Sequence, residues 1–524
     1  MSDIVFSSPL VVDGTSKEPF VADVKVSGER ISQIGKILPK KSDRVIPAKG
    51  LVLAPGFVDA HSHSDYHLLI LPSAESKILQ GITTEIGGNC GYSPAPVFGK
   101  LAGEREKSLS QEYSLKKSTF RELKDFLKEL DELKIALNFA PLVGYNTIRA
   151  SVMGFENRPP SKTELKKIQN EIEKALLQGA FGVSAGLIYP PGCYASKDEL
   201  VEALAPLREA GGVFACHIRS EGDKLIEAVS ELIEIGKKAG VRIQLSHIKT
   251  SGPRNWHKLD KVFELVENAQ KHGLNIMADR YPYTASFTSL SAVLPEWVFE
   301  GGEEKYRERL RKERDKIKSE ILKRYDGDYW RRVIISQSFE QGWERIEGKS
   351  IAQIAEEEKK PPCDILLEIL YEHKISPSAI FRTMSEENLE RIYAKNWVVV
   401  GSDAGARSGV GILAQGKPHP RAYGTFPKFF KEFVREKKLV SLKEAVRKTS
   451  ALACEHFQIK ERGKILEGYF ADLVLFDPEK ISDRADYENP FLPPVGIKLV
   501  MVAGRVVVED GKITGEFSGK TLRK

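Results

Sequence analysis

The sequence predicts a (β/α)8 barrel with a small β-sandwich domain built from both chain ends and a charged helical insertion over the barrel mouth. Three observations carry this. Across the middle of the chain, apolar runs such as "GVFACH", "VRIQLSH", "LNIMADRYPY" and "WVVVGSD" alternate with helix-like stretches. Strand–helix alternation of this kind implies a parallel sheet with crossover helices. Both ends instead carry brief apolar segments broken by Gly, Pro and Asp. A barrel needs only ~250 residues, so a chain of 524 residues has more to place.

Taken in order, "DIVFSSPLVVDG", "VADVKVSGERISQIG" and "RVIPAKGLVLAPG" read as N-terminal strands. "ADLVLFDPEKI" and "KLVMVAGRVVVEDGKITG" repeat the style near the C-terminus, with Asp-Gly as a hairpin signal. Residues 1–55 and 464–524 are therefore assigned to the sandwich and 56–463 to the barrel. The clearest barrel helix is "DKLIEAVSELIEIGKKAG", with Leu225, Ile226, Val229, Leu232 and Ile233 at helical spacing and Gly240 as its stop. An insertion is placed at about 295–350, where "GGEEKYRERLRKERDKIKSEILKRYDGDYW" is dense in charge and helical in pattern. A charge run of this kind is a solvated helix face more often than a binding site.

Composition narrows the function classes. With 41% apolar and 29% charged residues the chain is globular. Its 79 basic against 73 acidic residues form no dense basic stripe, which argues against a nucleic-acid partner. No apolar run approaches the ~20 residues of a membrane span. "MSDIVFSSPLVVDG" lacks the charged-then-apolar pattern of a signal peptide. Five scattered cysteines argue against a disulfide framework, so a cytoplasmic location is expected.

The candidate chemistry lies in a repeated local grammar, in which four or five apolar or small residues lead into a ligand-type side chain. "GFVDAH" runs into His61, "GGNC" into Cys90, "GGVFACH" into His217, "RIQLSH" into His247 and "WVVVGSD" into Asp403. Residues two apart on a strand share a face, so His61 and His63 can aim at one point. In a parallel barrel all strand C-termini open on one face. These side chains would therefore converge despite their distance in sequence. Singly, each has an ordinary reading: a buried thiol, a rim histidine, or a helix cap for Asp403. All falling at strand ends by chance is far less probable. One thiolate with two imidazoles suits zinc, and three protein ligands plus water is the catalytic arrangement. Asp403 beside that water could accept and return a proton, which implies hydrolysis of an amide-like bond.

Over nearly its whole length the chain resembles the amidohydrolase superfamily, and within it the N-acyl-D-amino-acid deacylases. The resemblance is carried by "GFVDAHSHSD", "GITTEIGGNCGYSPAP", "GAFGVSAGLIYPPGCYAS", "CHIRSEGD", "QLSHIKTSG", "MADRYPYTA", "HPRAYGTFP" and "RGKILEGYFADLVLFDP". It implies zinc-dependent deacylation of a small-molecule N-acyl amino acid. Cys90, His217 and His247 would be the tight zinc ligands, His61 and His63 a second, weaker site, and Asp403 the acid/base. Lys249, Arg421, Tyr189 and Tyr281 would contact the substrate's carboxylate and carbonyl. No acidic partner is evident in sequence beside Lys249 or Arg421, so both are expected to hold the free carboxylate. Three departures bear on side-chain specificity: Tyr145 in place of a histidine, Phe287 in "ASFTSL", and a long loop from Ala404 to Lys417. Two rivals are a cyclic-amide hydrolase resembling hydantoinases or dihydroorotases, and a non-catalytic assembly protein of the same fold. Cys90, where the first group usually has a bridging lysine, speaks against one. Retention of all six candidate residues speaks against the other.

Overall fold

Eight short strands, almost wholly buried, form a parallel sheet in sequential order: β1 (Phe57–Asp59), β2 (Ile82–Gly87), β3 (Asn138–Gly144), β4 (Gly182–Gly186), β5 (Val213–His217), β6 (Arg242–Leu245), β7 (Ile276–Arg280) and β8 (Val398–Val400). The structure is a computed structural model, and it describes residues 2–115 and 119–524. The sheet closes where β1 meets β8. Ala60 N donates to Val400 O at 3.3 Å and Asp403 N to His61 O at 2.7 Å, so the ends of the first and last strands are laced together. The helix between β5 and β6 spans Leu225–Ala239 and ends on Gly240 at φ +68°, a left-handed position that glycine fills without strain.

Both chain ends build the sandwich. A seven-stranded sheet joins Leu10–Val11, Phe20–Val21 and Val52–Pro55 to Leu473–Phe476, Ile497–Val502, Arg505–Glu509 and Lys512–Ile513. A four-stranded sheet from Ile4–Ser7, Asp23–Ser27, Arg30–Gly35 and Arg44–Pro47 packs on it. Phe6, Val24 and Ile31 meet Leu53, Leu475 and Met501 in the shared core. The strand Val52–Pro55 runs almost directly into β1, so the sandwich anchors the start of the barrel.

The excursion between β7 and β8 is larger than the charged segment. It holds an antiparallel sheet of Ser286–Ser289, Ser378–Phe381 and Val333–Gln337 and a core of its own that includes Val298, Ile317, Ile321, Trp330 and Leu366. The charged run supplies only two outer helices, Glu303–Lys312 and Arg314–Arg324, which bury Tyr306, Leu310, Ile317 and Ile321. The expected segment of about 295–350 contains Val333–Gln337, while the two strands that pair around it, Ser286–Ser289 and Ser378–Phe381, lie on either side of it. Among the described residues no helix is long and apolar enough to cross a membrane.

Candidate metal centre and active site

Cys90 follows β2 in "GGNCG", and this loop needs its glycines. A Cβ on Gly88 would lie 2.1 Å from Leu142 O, and Gly88 and Gly91 adopt φ of +73° and +83°. Cys90 itself has φ +53°, and His247 and Asp403 share the left-handed region at +36° and +51°. Such backbone costs about 1–3 kcal/mol per residue and persists where surrounding contacts enforce it. Its concentration on three candidate site residues, at the ends of β2, β6 and β8, is the local signature of a built site.

Four strand ends, those of β1, β2, β5 and β6, deliver their side chains to one point. Cys90 Sγ stands 3.3 Å from His61 Nε2, 3.6 Å from His247 Nε2 and 3.8 Å from His217 Nδ1. Tetrahedral zinc, with bonds of about 2.3 Å to sulfur and 2.05 Å to nitrogen, has a sulfur–nitrogen edge of about 3.6 Å. The donor set thus fits zinc in chemistry and in spacing. His61, Cys90, His247 and Asp403 each bring a ligand atom within 4.8 Å of the others, and all four are buried. His63 lies at the rim, its side chain 34% exposed, with Nε2 3.1 Å from Asp403 Oδ1. A gap between a three-ligand site and a histidine-pair site is therefore not what these contacts draw. Cys90 sits between them and touches His61 as closely as it does the other two imidazoles.

Carboxylates behind the ring orient it. Asp279, on β7, places Oδ1 3.0 Å from His61 Nδ1 and accepts from His247 N at 2.8 Å. Glu221 places Oε1 3.0 Å from His247 Nδ1 and 3.6 Å from His217 Nε2. One carboxylate thus faces the far nitrogen of both histidines, leaving the near nitrogens toward Cys90. Glu221 was not singled out in the sequence, although "CHIRSEGD" contains it. Its signal was the four-residue step from His217, which is a weak one in a loop.

The electrostatics follow from this packing. Burial alone would raise the Cys90 thiol, but the imidazoles, His61 foremost, outweigh it and hold its pKa well below the ordinary value. Burial opposes charge on His61 too, yet Asp279 and Cys90 raise its pKa well above the usual range. His63, also opposed by burial, is raised to about 9 by Asp403 and Cys90. Asp403 is held well below the carboxylate range against burial, chiefly by Arg421 and then His247 and His63. The histidines are not alike: His247 is raised against burial by Asp403 and Glu221, whereas burial lowers His217 below its usual range.

Of the candidate substrate contacts, Lys249 and Arg421 correct the sequence reading, because both have acidic partners. Lys249 Nζ donates to Glu221 and lies 2.7 Å from His247 Nδ1. Arg421 Nη1 donates to Asp403 Oδ2 at 2.8 Å. Both partners are distant in sequence, so only the fold reveals them. Arg421 keeps a buried Nε without a hydrogen-bond partner, and its guanidinium stacks 4.6 Å from the Tyr281 ring centroid. Tyr281 is buried with its hydroxyl unpartnered. Tyr189 packs edge-on against His217, and its hydroxyl lies 3.0 Å from Thr288 Oγ1, on a strand of the insertion. Thr288 is a second neighbour that the sequence reading missed. Phe287 contributes its carbonyl to Arg421 Nη2 at 3.4 Å. Tyr145 stands apart, donating to Glu199, which Arg149 also holds at 2.9 Å.

A cavity of about 320 Å3 opens beside Tyr189, lined by Tyr92, Phe155, Ile188, Leu294 and Phe299. It lies where the loop after β4 meets the insertion, and Glu104, Glu296, Glu303 and Lys374 also line it.

Comparison with known proteins finds relatives along the whole chain. A model described as the amidohydrolase family matches residues 44–154 and 361–508. The D-aminoacylase of Alcaligenes xylosoxydans xylosoxydans is 31% identical over 522 residues, covering 100% of this chain and 98% of its own. A D-aminoacylase structure, from work on its binuclear metal centre with activation by one metal and attenuation by a second, superposes with TM-score 0.85 at 32% identity over the full length of both chains. The N-acyl-D-glutamate deacylase of Bordetella bronchiseptica, complexed with zinc and a phosphonate mimic of the tetrahedral intermediate, superposes equally well at 29% identity, again over all of both chains.

Proposed function

The chain belongs to the amidohydrolase family, in its D-aminoacylase branch, and from that premise we propose that it hydrolyses N-acyl-D-amino acids to a carboxylate and a free D-amino acid with zinc as cofactor. The observation that carries the reading is Cys90 Sγ ringed by three imidazole nitrogens at 3.3–3.8 Å, beside an ionised Asp403. Cys90, His217 and His247 would hold the tight zinc, with His61 and His63 serving a second, weaker ion. When bound, zinc supplies Lewis-acid polarisation of the scissile carbonyl and lowers the pKa of water toward ~7.

The chain's own residues do the rest. Asp403, kept as a carboxylate by Arg421 and His63, accepts a proton from the attacking water at Oδ1. It returns that proton to the amide nitrogen as the C–N bond breaks. Water adds its oxygen to the carbonyl carbon, so the products are an acid and an amine. The Tyr189 hydroxyl would hydrogen-bond the carbonyl oxygen. Arg421 has one nitrogen committed to Asp403, and its free Nε edge would hold the substrate's α-carboxylate. Lys249, neutralised by Glu221, would help to orient His247. The test is metal analysis of purified protein combined with a screen of N-acetyl-D- and N-acetyl-L-amino acids. Zinc near one equivalent with strong D-preference is expected, and hydrolysis of L-isomers at equal rate would refute the assignment.

A further inference from the structure

We propose that Lys77 is a positioning residue for Asp403, acting through a buried polar hub that locks the turn after β8 onto the His61–His63 segment. The inference rests on the reading of Asp403 as the proton carrier. Lys77 is wholly buried, as are Asp59 and Glu85, its carboxylate neighbours. Its ammonium donates to Asp59 Oδ2 at 2.7 Å, to Ser402 Oγ at 2.8 Å and to Ala404 O at 2.6 Å. Ser402 and Ala404 are the two residues that flank Asp403. Asp59 closes the hub from the other side, accepting from Ser402 N at 2.7 Å and from His61 N at 3.2 Å through Oδ1.

Asp403 adopts φ +51°, a strained conformation for a side chain other than glycine's. The turn around it is sealed against the histidine segment: a Cβ on Gly401 would lie 2.8 Å from the His61 Cβ, and one on Gly405 2.2 Å from His67 Nδ1. Ser62 and Ser64 extend the same network to Glu85 Oε2 at 2.7 and 2.9 Å, and Ser64 Oγ accepts from Ala406 N at 3.0 Å. Lys77 therefore grips both neighbours of a strained residue and the strand that carries His61. Removing it frees the turn to relax, which would move the Asp403 carboxylate from Arg421 and His63. Displacements of about 1 Å cost ~10²-fold in rate when they misalign a reacting group.

Lys77→Met alone strands the Asp59 carboxylate in the core and can fail to fold. The deciding protein is therefore Lys77→Met combined with Asp59→Asn and Glu85→Gln, which removes the cation together with both buried carboxylates beside it. Expected are a folded protein with full zinc, kcat lowered by ~10²-fold and KM for an N-acetyl-D-amino acid within about threefold. Its crystal structure should show Asp403 out of the left-handed region and parted from Arg421, with Cys90, His217 and His247 in place. Wild-type kcat, a rate loss that follows zinc loss, or an unchanged Asp403 turn would each overturn the proposal. Asp403→Asn is measured alongside. If that variant turns over normally, the reading of Asp403 fails, and the crystallographic result still decides Lys77.

Discussion

Replacing Glu221 with Gln tests the idea that one carboxylate orients two zinc ligands. Glu221 Oε1 lies 3.0 Å from His247 Nδ1 and 3.6 Å from His217 Nε2, and it neutralises Lys249. Removing a hydrogen-bonded partner of a single ligand typically costs 10–100-fold in metal affinity. Because Glu221 serves both histidines, the upper end is expected, ~100-fold or about 2.7 kcal/mol at 1.36 kcal/mol per decade. Loss of the charge also leaves the Lys249 ammonium beside the His247 ring, which opposes positive metal further. The assay is zinc competition against a chromophoric chelator at neutral pH, with the exposed Glu227→Gln as control. At saturating zinc, kcat should recover most of its value, since Asp403 and Arg421 are untouched. A zinc dissociation constant within about threefold of the parent, where ~100-fold is expected from the outer-partner effect, would refute the reasoning.

Cys90→Ala should lose tight zinc and activity together, measured by metal analysis after dialysis, and full occupancy would remove Cys90 from the ligand set. Asp403→Asn should retain zinc and lose ~10²-fold or more in kcat, with a near-parental rate reducing Asp403 to a structural turn. Arg421→Ala should raise KM for N-acetyl-D-amino acids far more than for their amidated analogues. His63 gives a pH prediction for the metal-free protein. Its folded pKa, about 9, stands above the ordinary 6.5. Its contribution to stability is thus complete below pH 6.5 and lost as pH rises through 9. The Tm advantage of the parent over His63→Asn should shrink across that window in thermal melts with chelator present, and a constant difference would contradict the His63–Asp403 pair.

The barrel and most of the candidate ligands were legible because their signals are local. An apolar run ending in His, Cys or Asp announces a strand and its exit in the same half-dozen residues. The barrel's geometry then supplies the convergence that no spacing in the sequence could. What was hidden is every feature that exists only after convergence. Lys249 has no acid nearby in sequence, yet Glu221 reaches it from the end of β5, and Arg421 finds Asp403 in the same way. A reader of the chain sees two free cations and assigns both to the substrate. In the folded protein both are already neutralised, and that changes the chemistry. Arg421 becomes the group that keeps Asp403 ionised, and Lys249 lies against His247 Nδ1 beside Glu221. The left-handed backbone at Cys90, His247 and Asp403 was equally invisible, since none of the three is a glycine. Strain of that kind is imposed by neighbours, as by the wholly buried Lys77 and Asp59 around Asp403, and it marks where the fold gives up local comfort to aim a side chain.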